Sequence, residues 1–191
     1  KKEIGQPKDL VPVEIAQPLT LHQDPEKQVA EAMKAAKALM KIVKARPNKV
    51  IIGGKQYVQF EEWQTVASFY GVTVGIEWTR PIERKEDQNT TGQYRIRGYE
   101  ARAVAYHGEK IISAAEAMCT RDESNWASRP EFMLRSMAQT RASAKALRNI
   151  FARVVVLAGL EPTPAEEMDG IASETKAKVE YRQAAKEKAE E

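Results

Sequence analysis

The apolar positions divide the chain into helical and extended stretches. Val29, Met33, Ala36, Met40 and Val43 recur at intervals of three and four, which places them on one face of a helix. Asp24-Pro25 supplies an N-cap and a proline at the first helical position, and Pro47-Asn48 stops the helix. Residues 50 to 58, VIIGGKQYV, read as a short hairpin turning at Gly53-Gly54. Trp63, Val66, Ala67 and Tyr70 mark one face of a brief second helix. At Val72 the period changes to two. Val72, Val74, Ile76 and Trp78 fall on one side and Thr73, Gly75, Glu77 and Thr79 on the other, the signature of a half-buried strand.

Residues 81 to 92 are polar and rich in turn formers, which predicts a loop. A long strand follows over 93 to 106, with Gly98 as a bulge, and His107-Gly108 turns it into a further strand over 109 to 118. Beyond Arg129-Pro130 the pattern predicts a long helix over 131 to 158, closed by Gly159. Its core-facing arc is Met133, Met137, Ala144, Leu147, Phe151 and Val154. Thr163-Pro164 opens another helical stretch.

Residues 1 to 23, with Pro7, Pro12 and Pro18, read as an extended arm, and 161 to 191 as an acidic or charged tail, helical or disordered. Residues 24 to 160 then form one α+β domain. It comprises an N-terminal helix, a small β-hairpin and short helix, and an antiparallel three-strand meander packed on a long basic C-terminal helix.

Composition adds little until charge is placed along the chain. The 191 residues are 42% hydrophobic and 30% charged, enough for a packed core, and the net charge is only +3. Residues 131 to 160, however, carry Arg135, Arg141, Lys145, Arg148 and Arg153 against Glu131 alone. The next ten carry Glu161, Glu166, Glu167 and Asp169 and no base. A basic patch is followed directly by an acidic segment. The single cysteine, Cys119, rules out an intrachain disulfide and fits a reducing compartment. No apolar run approaches the roughly 18 residues of a membrane span, and no signal peptide is legible. The expectation is a soluble protein of the cytoplasm without a membrane partner.

Catalytic signatures are sparse. Gly53-Gly54-Lys55 lacks the upstream glycine and the following Ser or Thr of a phosphate loop. His22, His107 and Cys119 are too far apart in sequence to suggest metal ligation. Glu83-Arg84-Lys85 matches half of a metal nuclease site, but falls in the predicted loop without a strand-borne second acid. A metal-dependent nuclease is the weakest of three readings. No catalytic group, metal or cofactor is expected.

The long helix carries the more specific signal. At about 100° per residue, Arg141, Lys145 and Arg148 share a sector of about 60° beside the core-facing arc. None has an acid at i±3 or i±4. Parallel cations on a rigid helix suit successive phosphates. Arg95 and Arg97 share one face of the long strand with Tyr99, and cations with an interleaved aromatic suit a single strand. Solvent, or acids on another element, remain the alternative destinations for this stripe, and Tyr99 suits a place in the core equally.

Three stretches, KVIIGGKQYVQFEEWQTVASFYGVTVGIEW, YRIRGYEARAVAYHGEKIISAAEAM and SMAQTRASAKALRNIF, resemble the core of phage-type single-strand annealing proteins. These are the Sak, Erf and RecT kind, with the eukaryotic Rad-fifty-two mediator as counterpart. The resemblance covers about residues 25 to 160. It rests on element order, on the Gly-turn hairpin feeding a short helix, and on Lys145 followed by Ala146-Leu147-Arg148. It implies an ATP-independent protein that binds single-stranded DNA, anneals complementary strands and assembles into a ring or filament, in a bacterial cytoplasm if phage-encoded. It further implies that Lys145 and Arg148 meet the DNA backbone, with Lys55 beside the hairpin turn. Ala144 stands where eukaryotic relatives have another cation, and Arg141 is the candidate substitute. Expected partners are single-stranded DNA and further copies of the chain, with a single-strand binding protein or an exonuclease as candidates. The alternative function is a non-enzymatic scaffold whose basic face docks an acidic protein.

Overall fold

The computed structural model describes residues 24–85 and 94–168. The predicted arm over 1–23, the remainder of the predicted loop and the tail from 169 onward lie outside the described residues.

Helix α1, Pro25–Ala45, begins as its sequence predicts, with the Asp24 carboxylate accepting from the Glu26 amide at 3.0 Å. Its buried stripe is Ala32, Ala36, Leu39 and Val43, so Val29 and Met33 of the predicted face are exposed instead. Strands β1, Val50–Ile52, and β2, Lys55–Val58, form the hairpin. Gly53 and Gly54 turn it at φ of 58° and 78°, conformations that a two-residue hairpin turn requires and glycine supplies. Helix α2, Phe60–Phe69, buries Trp63, Val66 and Ala67.

Strands β3, Val72–Lys85, β4, Tyr94–His107, and β5, Lys110–Thr120, form an antiparallel sheet with β4 in the centre. Against this sheet lies α3, Glu131–Leu157. Gly159, at φ 74°, closes α3: its amide donates to Val156 O at 2.9 Å and the Leu160 amide to Val155 O at 3.1 Å. The fold is the α+β arrangement of helices with a three-strand meander packed on the long helix.

Three details differ from the sequence pattern. Strand β3 continues through Pro81 to Lys85, where a loop is predicted. Proline is tolerated because β3 is an edge strand, and only its inner side needs ladder donors. Second, a bulge at Glu77 puts Ile76 opposite Ala103 but Trp78 opposite Arg102. The extra residue flips Trp78 onto the outer face, where the Arg80 guanidinium sits 4.3 Å from its ring centroid. The predicted Gly98 bulge is present. Ile82 pairs with Gly98 and Glu83 with Ile96, leaving Arg97 as the extra residue.

Third, the acidic segment after α3 belongs to the folded unit. Strand β6, Glu161–Pro164, pairs in parallel with β2, and a 3-10 turn, Ala165–Glu167, follows. Leu160, Pro164 and Ala165 are buried.

Helix α3 is buried on two sides, which explains much of the above. Ala144, Leu147, Phe151, Val154 and Val155 join α1 and α2 in one core, with Tyr70 stacked on Phe151 at 5.1 Å. Leu134, Ala138, Ala142 and Ala146 form a second core with Ala101 and Ala103 of β4. Alanine on both surfaces lets helix and sheet approach closely. Each large apolar side chain fully buried in these cores contributes about 1.5–3 kcal/mol.

Candidate nucleic-acid interface

The stripe of Arg141, Lys145 and Arg148 faces the segment that follows the helix, not open solvent. Arg141 is only 6% exposed. Its guanidinium donates two hydrogen bonds to the Glu123 carboxylate, at 2.9 and 2.6 Å, and one each to the carbonyls of Met118 and Glu166, both at 2.9 Å. Burial alone would raise the Glu123 carboxyl. Hydrogen bonds from Arg141 and the Thr120 amide outweigh that and hold it below the usual carboxylate range. The expectation that Arg141 meets a phosphate is therefore corrected: it is a buried structural cation joining β5, the following loop and the 3-10 turn. The helix offers no acid at i±3 or i±4, and the partner comes from eighteen residues away in sequence.

Lys145 and Arg148 are half-buried and stay out of ion pairs among the described residues. They face different surroundings. Lys145 shares a hollow with Glu100, Glu116, Arg141 and Glu167, and Glu116 is itself paired with Arg102 at 2.9 Å. Arg148 lines another hollow with Arg153, Gln28, Val29 and Pro162.

The remaining sequence candidates are largely engaged within the chain. Lys55 Nζ lies 2.9 Å from Glu161, because the β2–β6 pairing sets Tyr57 opposite Glu161. That hydrogen bond, reinforced by the carboxylate charge, raises the Lys55 pKa. Arg97 is ion-paired with Asp122. The Tyr99 hydroxyl donates to Glu131 at 2.8 Å, which raises its pKa, and the ring packs on the α3–sheet core. Arg97 and Tyr99 are thus each engaged by an acidic partner within the chain. Arg95 is exposed and sits opposite Arg84 in the β3–β4 register, near the end of the described hairpin. The seven predicted residues do not converge on one site.

A more open cationic surface lies between α1 and the C-terminal half of α3. Lys34, Lys37, Lys41 and Lys44 are exposed along α1. Lys37, Lys41 and Lys44 rim a hollow floored by Met33, Ala36, Met40 and Leu157. Leu157 also lines the adjoining hollow that holds Arg148 and Arg153. Among the described residues none of these cations is in an ion pair. The lysine row is visible in the sequence, where it looks like any solvated helix face. Its juxtaposition with Arg148 and Arg153 comes only from the packing of α1 on α3.

Glu83 lies on β3 and not in a loop, but the described residues contain no group of three or more His, Cys, Asp or Glu placed to hold a metal. No described helix is long and apolar enough to cross a membrane. No family model, curated protein or solved structure matches this chain.

Proposed function

We propose that this chain binds single-stranded DNA and anneals complementary strands without nucleotide hydrolysis. The observation that carries the reading is the α1–α3 surface, where exposed Lys37, Lys41, Lys44 and Arg153 and half-buried Arg148 have no ion-pair partner among the described residues. Lys37, Lys41 and Lys44 are about one helical turn apart, near 5.4 Å, so a flexible strand can follow them phosphate by phosphate. The apolar floor beside them suits exposed bases better than it suits a duplex, whose bases are stacked inside. The resemblance to single-strand annealing proteins points the same way. Binding that holds two strands extended with bases accessible lowers the barrier to pairing, so no covalent step is needed.

Assembly into rings or filaments belongs to the same reading. Both outer strands of the sheet have an unpaired edge among the described residues. Strands β3 and β5 each carry one bulge, at Glu77 and Ile112, but β3 is also interrupted by Pro81, whereas β5 has no proline. Edge β5 is therefore the better template for a second copy.

The test is the annealing rate of complementary oligonucleotides with and without the protein, in the absence of ATP, alongside affinity for single and double strands. The reading expects faster annealing and a clear single-strand preference. Equal affinity for duplex without acceleration would contradict it.

A second reading is docking of an acidic protein on the same surface. It is favoured by the exposure of Val29, Met33, Val156 and Leu157, between 46% and 56%, beside the cations. Tight binding of an acidic protein segment with no measurable DNA affinity would select it.

A further inference from the structure

The acidic residues after α3 lie against the cations that sequence alone assigns to DNA. Strand β6 sets Glu161 beside Lys55 at 2.9 Å. The next residue, Pro162, shares a hollow with Arg148. Farther along, Glu166 O accepts from Arg141 at 2.9 Å, and the Glu166 carboxylate accepts from the Phe60 amide at the start of α2 at 2.7 Å. Glu167 then shares the hollow of Lys145. The segment thus passes Arg148 first and Arg141 and Lys145 afterwards, against the direction of α3.

This segment is not a lid that swings away. Leu160, Pro164 and Ala165 are buried, and Arg141 anchors its backbone. Its acidic side chains behave differently from its backbone. Lys55 is exposed and Glu161 half-buried, so their contact is a surface ion pair, weak and easily screened. An approaching phosphate meets a cation that is already partly neutralised.

We propose that Glu161 is a built-in competitor for polyanion: it holds Lys55 in check and so confines the phosphate-binding surface to Arg148, Arg153 and the α1 lysines. The proposal rests on the reading of that surface as a single-strand site. It makes the Glu161 side chain a brake on affinity that keeps bound strands exchangeable.

Glu161→Gln keeps side-chain shape and leaves the buried Leu160, Pro164 and Ala165 untouched. Binding of a fluorescent oligothymidylate is measured across a salt series. One additional single-strand phosphate contact steepens log K against log salt by about 0.7, or about fivefold in affinity per decade of salt. Glu161→Gln is expected to show this gain, and Glu161→Gln/Lys55→Ala to lose it. Lys55→Ala alone leaves the parent slope unchanged. Where the parent binds oligothymidylate, an unchanged slope in Glu161→Gln, or a gain that survives loss of Lys55, overturns the proposal. Elution from immobilised heparin, a polyanion without bases, is read in parallel. Later elution of Glu161→Gln that again requires Lys55 upholds the competition even if the parent ignores oligothymidylate, in which case the DNA reading alone fails. Equal elution of Glu161→Gln and parent sinks the competition itself.

Discussion

Arg141 and Glu123 form a two-pronged ion pair, 2.9 and 2.6 Å, under the turn of chain that follows β6. Arg141→Ala would strand a partly buried carboxylate and leave the Met118 and Glu166 carbonyls without their donor. Breaking a fully buried pair costs about 3–5 kcal/mol, and here about 2–4 kcal/mol because Glu123 reaches solvent. Arg141→Lys should fall between, since an ammonium cannot reproduce the planar fork. Lys145→Ala should shift stability by no more than about 0.5 kcal/mol. Thermal unfolding of the three variants checks this; equal melting temperatures for Arg141→Ala and Lys145→Ala would return Arg141 to the surface.

Two carboxylates give opposite pH signatures. Burial pushes Glu62 above its ordinary 4.5, so the folded state holds that proton more tightly than the unfolded chain. Its contribution favours folding at low pH and is lost as pH rises through the folded value. Glu62→Gln keeps an acceptor for the Gln59 amide, now 2.8 Å from the carboxylate, and removes the buried charge. It should raise the melting temperature at neutral pH and lose that advantage near pH 4. Glu123 is lowered, so its contribution is full above about 4.5 and disappears as pH falls through its folded value. Glu123→Gln should therefore destabilise at neutral pH and converge with the parent in acid. Melting curves across pH 3 to 8 read both at once (roughly the carboxylate range and beyond).

Close packing of β4 on β5, and of the sheet on α3, gives two steric predictions. A Cβ on Gly98 would press on the Cys119 carbonyl and lie 2.7 Å from Thr120 Cα, both backbone atoms that cannot rotate aside. Gly98→Ala should cost about 1–3 kcal/mol, the usual range for overpacking. Ala142→Leu, wedged into the alanine seam between α3 and β4, should cost a similar amount. Denaturant midpoints measure both. A neutral Gly98→Ala would mean that β4 and β5 separate easily at the bulge.

Elements were legible in the sequence wherever one local pattern decides them. Asp24-Pro25 starts α1, Gly53-Gly54 turns the hairpin, Gly98 marks its bulge and Gly159 ends α3, each through backbone conformation or capping. Long-range relationships were not legible. Ala138, Ala142 and Ala146 look neutral on a helical wheel, yet they are a core surface because a sheet of alanines faces them. Without them α3 appears one-sided and Arg141 appears to point at solvent. Glu123 and Glu166 reach Arg141 through tertiary folding that no helical spacing reveals. The acidic run at 161–167 was visible, but its return along α3 depends on the parallel pairing of β6 with β2.

Mass by light scattering tests the assembly component. With single-stranded DNA at micromolar protein, the account expects a species several times the 21.4 kDa chain. A monodisperse monomer under those conditions would remove the ring or filament from the proposal and leave strand binding to be judged alone.

The α1 lysines carry the central claim, and salt dependence reads them most directly. If Lys37, Lys41 and Lys44 each neutralise one phosphate, the Lys37→Ala/Lys41→Ala/Lys44→Ala variant should bind single strands more weakly. Its slope of log K against log salt should flatten by about 2 per protomer, at about 0.7 for each contact. The change should be the same for every oligonucleotide sequence, because backbone contacts read no bases. These exposed positions should leave the melting temperature nearly unchanged. A variant that keeps the parent's slope and affinity would show that single-stranded DNA, if bound, is held elsewhere on this fold.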